Sequence, residues 1–262
     1  MKNKILLAIL VFAFLFCLQA TSCSGQTINN PKDLEAYLDK QPANRPDKPI
    51  KVTMTINDLM LEDVADVINS AGKYVSLNLT GNALKTISDG AFQDSETLVS
   101  ITIPNSVTEI GICAFAYCTS LTSVTIPNSV TYIDLSTFTG CTSLTSVIIP
   151  NSVTIIGSEA FSECESLTSV IIGNSVTSIL DGAFWGCYSL TKITIPKSVT
   201  EIGEGAFAGC GLTSVTFQGT IKPLNFGSDA FEGNLRETYL KEGIGTYTTT
   251  NNPNWDSVWT KK

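Results

Sequence analysis

The chain has 262 residues, of which 43% are hydrophobic and only 15% are charged, and it contains no histidine. A formal charge of -8 without a visible basic patch argues against nucleic-acid binding, because neutralising phosphates requires clustered lysine and arginine. The lack of histidine removes the commonest general base and the commonest metal ligand, so we expect no catalytic residues, metal site or cofactor.

The first residues have the pattern of a signal peptide, predicted to span 1–22. Lys2 and Lys4 form a positively charged start, and the apolar stretch that follows them is shorter than a typical transmembrane helix. Small residues then precede Cys23, an arrangement that resembles a bacterial lipobox in which Ala20 replaces the usual leucine. The sequence therefore predicts an exported protein with a lipid on Cys23, anchored to the bacterial outer membrane or cell surface. Cleavage of an ordinary secretory signal is the alternative.

Residues 23–49 are predicted to form a lipid tether that contains a short helix, "PKDLEAYLDK". Residues 50–73 are predicted to form an N-terminal cap made of a strand and a helix. The strand alternates apolar and polar residues, and the helix carries apolar residues on one face. Asn57 or Asp58 is placed to cap this helix, and Gly72 is placed to end it.

Phenylalanine, cysteine and leucine recur at a spacing of 23 residues, and seven units fill residues 74–234. In the unit "LTSVTIPNSVTYIDLSTFTGCTS", Val124 and Ile126 face the same side of a strand that Pro127 ends. Phe138 and Cys141 are three residues apart, which predicts a short helical or 3₁₀ turn. Since no unit can bury its apolar side chains alone, neighbouring units must stack.

The first unit also contains the pattern L-x-L-x-x-N-x-L at Leu77, Leu79, Asn82 and Leu84, although later units replace this asparagine with serine. Together with the repeated "AFxxC" ending, this pattern resembles the bacterial 23-residue leucine-rich repeat of the BspA-like surface proteins. The resemblance implies an α/β leucine-rich repeat solenoid. Such a solenoid is a right-handed β/α superhelix with a parallel β-sheet, short helical turns and caps at both ends.

The C-terminal cap is predicted at 235–262, where Tyr247, Trp255 and Trp259 are expected to cover the last unit. The regularly spaced cysteines are expected to be buried free thiols, because identical positions in stacked units have parallel Cβ vectors that suit a disulfide poorly. Cys113 falls outside this cysteine column and stands where other units carry small or polar residues.

The resemblance to BspA-like proteins implies adhesion, with host extracellular-matrix proteins or other bacterial surface proteins as partners and with the lipid as the contact to the membrane. Two alternatives remain open: a structural or envelope-organising role, and an accessory module that binds polysaccharide. Nothing in the sequence points to an enzyme or indicates an oligomeric state.

Outward strand positions are expected to build a concave face of serine and threonine. Ile148 and Ile171 interrupt it at the same position of successive units, and Lys192 brings a charge one strand further on. These residues are the candidate contact centre. The alternative is that isoleucine has replaced threonine, another β-branched residue, without any effect on function. Trp185 and Tyr188 form a competing candidate patch, predicted to lie on the convex side.

Overall fold

A computed structural model describes residues 28–250 and 253–262, so the predicted signal peptide and Cys23 lie outside the described residues. The chain forms a solenoid of about seven turns in which parallel strands of successive units pair in register. The α/β fold class predicted from the repeat is confirmed. No helix in the described part of the chain is long and apolar enough to cross a membrane.

Every turn contributes one strand to a first series, and six of the turns also contribute a shorter strand to a second series. The first series consists of β1 (Ile50–Thr55), β2 (Val75–Thr80), β4 (Leu98–Thr102), β6 (Ser123–Thr125), β8 (Ser146–Ile148), β10 (Ser169–Ile171), β12 (Lys192–Ile195) and β14 (Ser214–Phe217). The second series consists of β3 (Thr86–Ile87), β5 (Glu109–Ile110), β7 (Tyr132–Ile133), β9 (Ile155–Ile156), β11 (Ser178–Ile179) and β13 (Glu201–Ile202).

The N-terminal cap contains α1 (Pro31–Asp39), β1, a 3₁₀ turn (Asp58–Met60) and α2 (Leu61–Ala71). Helix α1 packs against α2 and buries Leu34 and Leu38 completely, so this part of the predicted tether is joined to the hydrophobic core. Burying both leucines stabilises the docked helix by roughly 2–3 kcal/mol each before entropic costs.

The two ends of α2 differ from each other in how well the sequence predicted them. Gly72 ends the helix as expected, in the left-handed conformation with φ 56. The predicted N-cap residue of helix α2 is wrong, because Asn57 makes no side-chain capping bond. The Asp58 carboxylate instead accepts hydrogen bonds from the backbone N–H groups of Lys85 (2.7 Å) and Thr86 (3.1 Å), which ties the cap to the next turn.

The C-terminal cap contains α3 (Leu235–Glu242), β15 (Gly245–Thr248) and β16 (Thr260–Lys261). Strand β15 pairs antiparallel to β14, which closes the open edge of the first strand series. Tyr247 and Trp259 are buried, as expected, but the expectation for Trp255 is wrong, since its side chain is 58% exposed. Trp259 and Tyr247 already fill the space over the last turn, and Trp255 lies in the exposed segment that precedes Trp259.

The core is one-dimensional and has an aromatic column at its centre. Phe92, Phe115, Phe138, Phe161, Phe184 and Phe207 stack with ring centroids 5.2–5.3 Å apart and ring planes within 9° of parallel. This centroid distance is larger than that of two rings stacked directly face to face, so neighbouring rings are offset from one another. Offset stacking is the arrangement that the ring quadrupoles favour. The segment that carries each ring, predicted as a helical turn, consists of hydrogen-bonded turns such as Cys118 N–H to Phe115 O at 3.3 Å.

Two ladders of threonine hydroxyls make side-chain hydrogen bonds between successive turns. The hydroxyls of Thr145 and Thr168 each donate to the carbonyl of the equivalent threonine in the preceding turn. A second ladder joins Thr154, Thr177 and Thr200 in the same way. These bonds cross the stack at intervals of 23 residues, so they hold the turns in register.

Candidate binding surfaces

The first surface, here called the strand face, consists of the outward side chains of the first strand series. Serine and threonine dominate it, and Ile148 and Ile171 are its apolar exceptions. They are register partners in the parallel pair β8 and β10, and their side chains are 58% and 42% exposed. Two β-branched apolar side chains thus lie next to each other in solvent, as the sequence predicted.

Lys192 is exposed at the start of β12, which lies beside β10. The 23-residue spacing places it level with Ser169, at the other end of the strand from Ile171. Only two ion pairs occur within residues 28–250 and 253–262, and neither involves Lys192. The strand face therefore combines an apolar pair with one nearby positive charge.

The second surface is formed by the closing turns of the units and carries Trp185 and Tyr188, which are 44% and 57% exposed. The structure places these two residues in different grooves. Trp185 lines a shallow groove of about 500 Å³ together with Tyr117, Glu159 and Glu163. Tyr188 lines a separate groove of about 640 Å³ that includes Glu232. They are therefore two sites, although they are three residues apart in the chain.

The groove of Trp185, here called the closing-turn groove, was not recognised from the sequence. Its lining includes Tyr117, Thr139, Glu159, Ser162, Glu163 and Trp185. The sequence held one indication of it: at the position of Trp185, four of the other units carry the small buried residues Ala116, Thr139, Ser162 and Ala208.

Two further carboxylates, of Glu204 and Asp229, lie at the far end of the closing-turn groove. Their interaction raises the pKa of Asp229 and lowers the pKa of Glu204. The groove is therefore rimmed by acidic groups at more than one turn.

The thiols of the cysteine column are buried, although Cys210 lies in the lining of the Tyr188 groove. Within the described residues all of its thiols are free and buried, and each donates to the backbone carbonyl of the phenylalanine one turn earlier, as from Cys118 to Phe92 O at 3.0 Å. Burial raises the pKa of the Cys118 thiol to about 12. Such thiols stay protonated and are poor nucleophiles. Across the described residues, no three histidine, cysteine, aspartate or glutamate side chains converge on a common metal position.

The fold and these open surfaces define a leucine-rich repeat solenoid, a class that is generally a non-enzymatic scaffold for protein–protein contact. The sequence model of the BspA type leucine rich repeat region matches six copies in residues 69–191 and 109–238, which is more than half of the chain. The chain belongs to the BspA-type leucine-rich repeat family.

Solved structures of bacterial leucine-rich repeat proteins share this architecture. A leucine-rich repeat protein of T. pallidum is 29% identical, with a TM-score of 0.57 over 64% of this chain and 83% of that chain. A leucine rich cell surface protein of Faecalibacterium prausnitzii A2-165 is 26% identical, with a TM-score of 0.51 over 89% of this chain and 50% of that chain. This chain thus spans half the length of the Faecalibacterium protein. No curated protein sequence shows significant similarity to this chain.

Proposed function

We propose that this protein is exported, carries a lipid on Cys23, and binds a protein partner at the bacterial surface through its strand face, without catalysis. Adhesion to host extracellular-matrix proteins or to other bacterial cells is the role that this arrangement serves best. The observation that carries the proposal is the exposed pair Ile148 and Ile171 on an otherwise hydroxyl-covered face. An apolar pair bordered by polar groups is typical of an interface centre. The similar Faecalibacterium protein is a cell surface protein, which supports the location.

Two other roles fit the observations less well. Polysaccharide binding through the strand face would use exposed aromatic platforms, and the outward strand positions from β4 to β14 carry none. An envelope-organising role would use the same fold with partners inside the cell envelope. Protease treatment of intact cells separates that role from adhesion, because an adhesin must be cleaved from outside while an internal protein stays protected.

Lipid attachment is tested by growing cells with radiolabelled palmitate. We expect label in the wild-type protein and none in Cys23→Ala, which should be found in the soluble exported fraction. Equal labelling of both proteins contradicts lipidation at Cys23.

The strand face is tested by comparing two double variants in a pull-down against host matrix proteins. Ile148→Thr with Ile171→Thr restores the residue of most other units, so it should fold normally. We expect its affinity to fall by 1–3 kcal/mol, or roughly 5- to 150-fold. Trp185→Ala with Tyr188→Ala is the matched comparison, because it removes exposed apolar groups from the closing turns. Loss of binding in the second variant alone would place the contact on the closing turns.

A further inference from the structure

The closing-turn groove combines a trough, an exposed ring and an uncompensated negative charge. The trough exists because Thr139 and Ser162 are small, and both are buried in its floor. The Thr139 hydroxyl donates to the Glu159 carbonyl at 2.6 Å, so the floor has no hydroxyl free at that point. Trp185 replaces such a small residue one turn further on and is 44% exposed, which places an indole ring against the open trough.

Charge is distributed unevenly along this part of the solenoid. Residues 86–191 contain nine carboxylate side chains and no lysine or arginine. Neither of the two ion pairs within residues 28–250 and 253–262 involves a residue of the groove. The carboxylates of Glu159 and Glu163 therefore face solvent without a cation from the described chain. A concave surface lined by one sign of charge attracts ligands of the opposite sign.

Three residues of the groove hold a backbone conformation that favours glycine. Glu159, Glu163 and Tyr117 have φ values of 54, 58 and 59, whereas Gly140 and Gly186 flank Glu163 at the same position of neighbouring turns. A non-glycine residue there costs about 1–2 kcal/mol. The chain keeps two carboxylates and an aromatic ring around this trough although its own repeats offer glycine as a less strained choice.

We propose that the closing-turn groove binds a lysine- or arginine-bearing, extended segment of a partner protein. Tyr117 at one end of the groove and Trp185 three turns further on supply ring faces for cation–π contacts. Glu159 and Glu163 between them supply charge-assisted hydrogen bonds to the basic heads. This site is separate from the strand face and does not depend on its proposed role.

The dimensions of the groove match an extended peptide. Tyr117 and Trp185 belong to turns that are three steps apart, and each step measures 5.2–5.3 Å between stacked rings. These two turns are therefore about 16 Å apart, which is the length of roughly five extended residues. Since side chains alternate along an extended chain, two or three basic residues of such a segment face the groove.

The test uses the full-length protein and a fluorescein-labelled octapeptide in which lysine and threonine alternate, followed by fluorescence anisotropy. An otherwise identical peptide with glutamate in place of lysine reports nonspecific binding. We expect saturable binding of the lysine peptide alone, weakened by added salt. Absence of saturable binding, or equal binding of the glutamate peptide, overturns the proposal.

Two variants locate the site with residues that the repeats themselves use. Trp185→Ala introduces the residue found at Ala208 and should weaken binding by about 5- to 10-fold. Glu159→Ser with Glu163→Gly introduces the residues of Ser136 and Gly140 and should weaken binding by about fivefold. Thermal unfolding verifies that each variant is folded. Wild-type affinity in the folded Trp185 variant overturns the proposal.

Controls separate the groove from general acidity and from the strand face. Glu109→Ser with Glu165→Thr removes two carboxylates that do not line the groove, using the residues of Ser178 and Thr142. Its affinity should stay within about twofold of wild type. A loss as large as that of the groove double variant indicates nonspecific attraction and overturns the site. Ile148→Thr with Ile171→Thr should bind the lysine peptide normally, and failure to do so contradicts the location.

Discussion

Replacing Phe161 by alanine should be among the most destabilising single changes in this chain. Phe161 has no exposed surface and lies in the middle of the aromatic column, with neighbouring ring centroids at 5.2 and 5.3 Å. Roughly 150 Å² of ring surface at about 25 cal/mol per Å² corresponds to about 4 kcal/mol. This value lies within the range of roughly 3–5 kcal/mol observed for such truncations.

The space left by the ring cannot close easily. Backbone bonds from Phe138 N–H to Ala160 O and from Phe161 N–H to Ala183 O, both 2.8 Å, hold the turns on either side at fixed spacing. The cavity therefore persists, and its unfilled volume adds to the lost burial. We expect a loss of about 4 kcal/mol in the free energy of unfolding.

The first ring of the column provides the internal comparison. Phe92 is equally buried, but within the column it stacks only on Phe115. A stacked aromatic pair contributes about 0.5–1.5 kcal/mol beyond burial, so Phe92→Ala should cost about 1 kcal/mol less than Phe161→Ala. Thr125→Ala, an exposed change on the strand face, should stay within about 0.5 kcal/mol of wild type.

Urea denaturation, followed by both tryptophan fluorescence and far-UV circular dichroism, measures these differences. Coincident transitions from the two probes justify a two-state treatment, which long repeat arrays do not always obey. A loss below about 1.5 kcal/mol for Phe161→Ala, or a larger loss for Phe92→Ala, would refute the continuous stacked core.

Three further predictions concern backbone strain and the thiols. Glu163→Gly should raise the free energy of unfolding by about 0.5–1 kcal/mol, because it relieves the strain of a non-glycine residue in the left-handed backbone conformation. Glu165→Gly should lower the free energy of unfolding. Equal urea midpoints for the two variants would contradict this. Burial raises the pKa of Cys118 from 9.0 to about 12. The contribution of this thiol to the free energy of unfolding is therefore complete below pH 9. It falls as the thiol of the unfolded chain ionises, by about 1.4 kcal/mol at pH 10. Replacing Cys118 by alanine should flatten the dependence of the urea midpoint on alkaline pH, and an unchanged slope would argue against this source. Among the cysteines of the described residues, Cys113 alone is partly exposed, so Cys113→Ser should abolish their rapid native-state labelling by a water-soluble thiol reagent; fast labelling that persists in this variant would place a second thiol at the surface.

The repeat period alone predicted most of the architecture. A spacing of 23 residues identifies which side chains form columns, and the alternation within each strand identifies which columns are buried. Phe161 and Ile148 could therefore be assigned to the core and to the strand face without coordinates. The role of Gly72 at the end of α2 could also be predicted, because a helix that ends with a residue in the left-handed conformation favours glycine whatever its surroundings.

Contacts between elements that follow no period could not be predicted in this way. Leu34 and Leu38 were read as part of a tether segment, yet α1 packs against α2, since its docking depends on the surface that α2 presents. Trp255 was expected to cover the last turn, but Tyr247 and Trp259 occupy that space first.

The closing-turn groove shows the same division between sequence and tertiary structure. The sequence shows Trp185 and Tyr188 three residues apart, which predicts one patch if the segment is helical. In the structure Gly186, which lies between them, has a left-handed backbone conformation with φ 71, and the two side chains line different grooves. Side chains separated by one or more units, such as Tyr117, Glu163 and Trp185, line one groove only when the units stack. The periodic sequence by itself therefore determined the columns of this protein, and the tertiary structure alone decided which side chains meet across them, because that depends on turn geometry and packing between units.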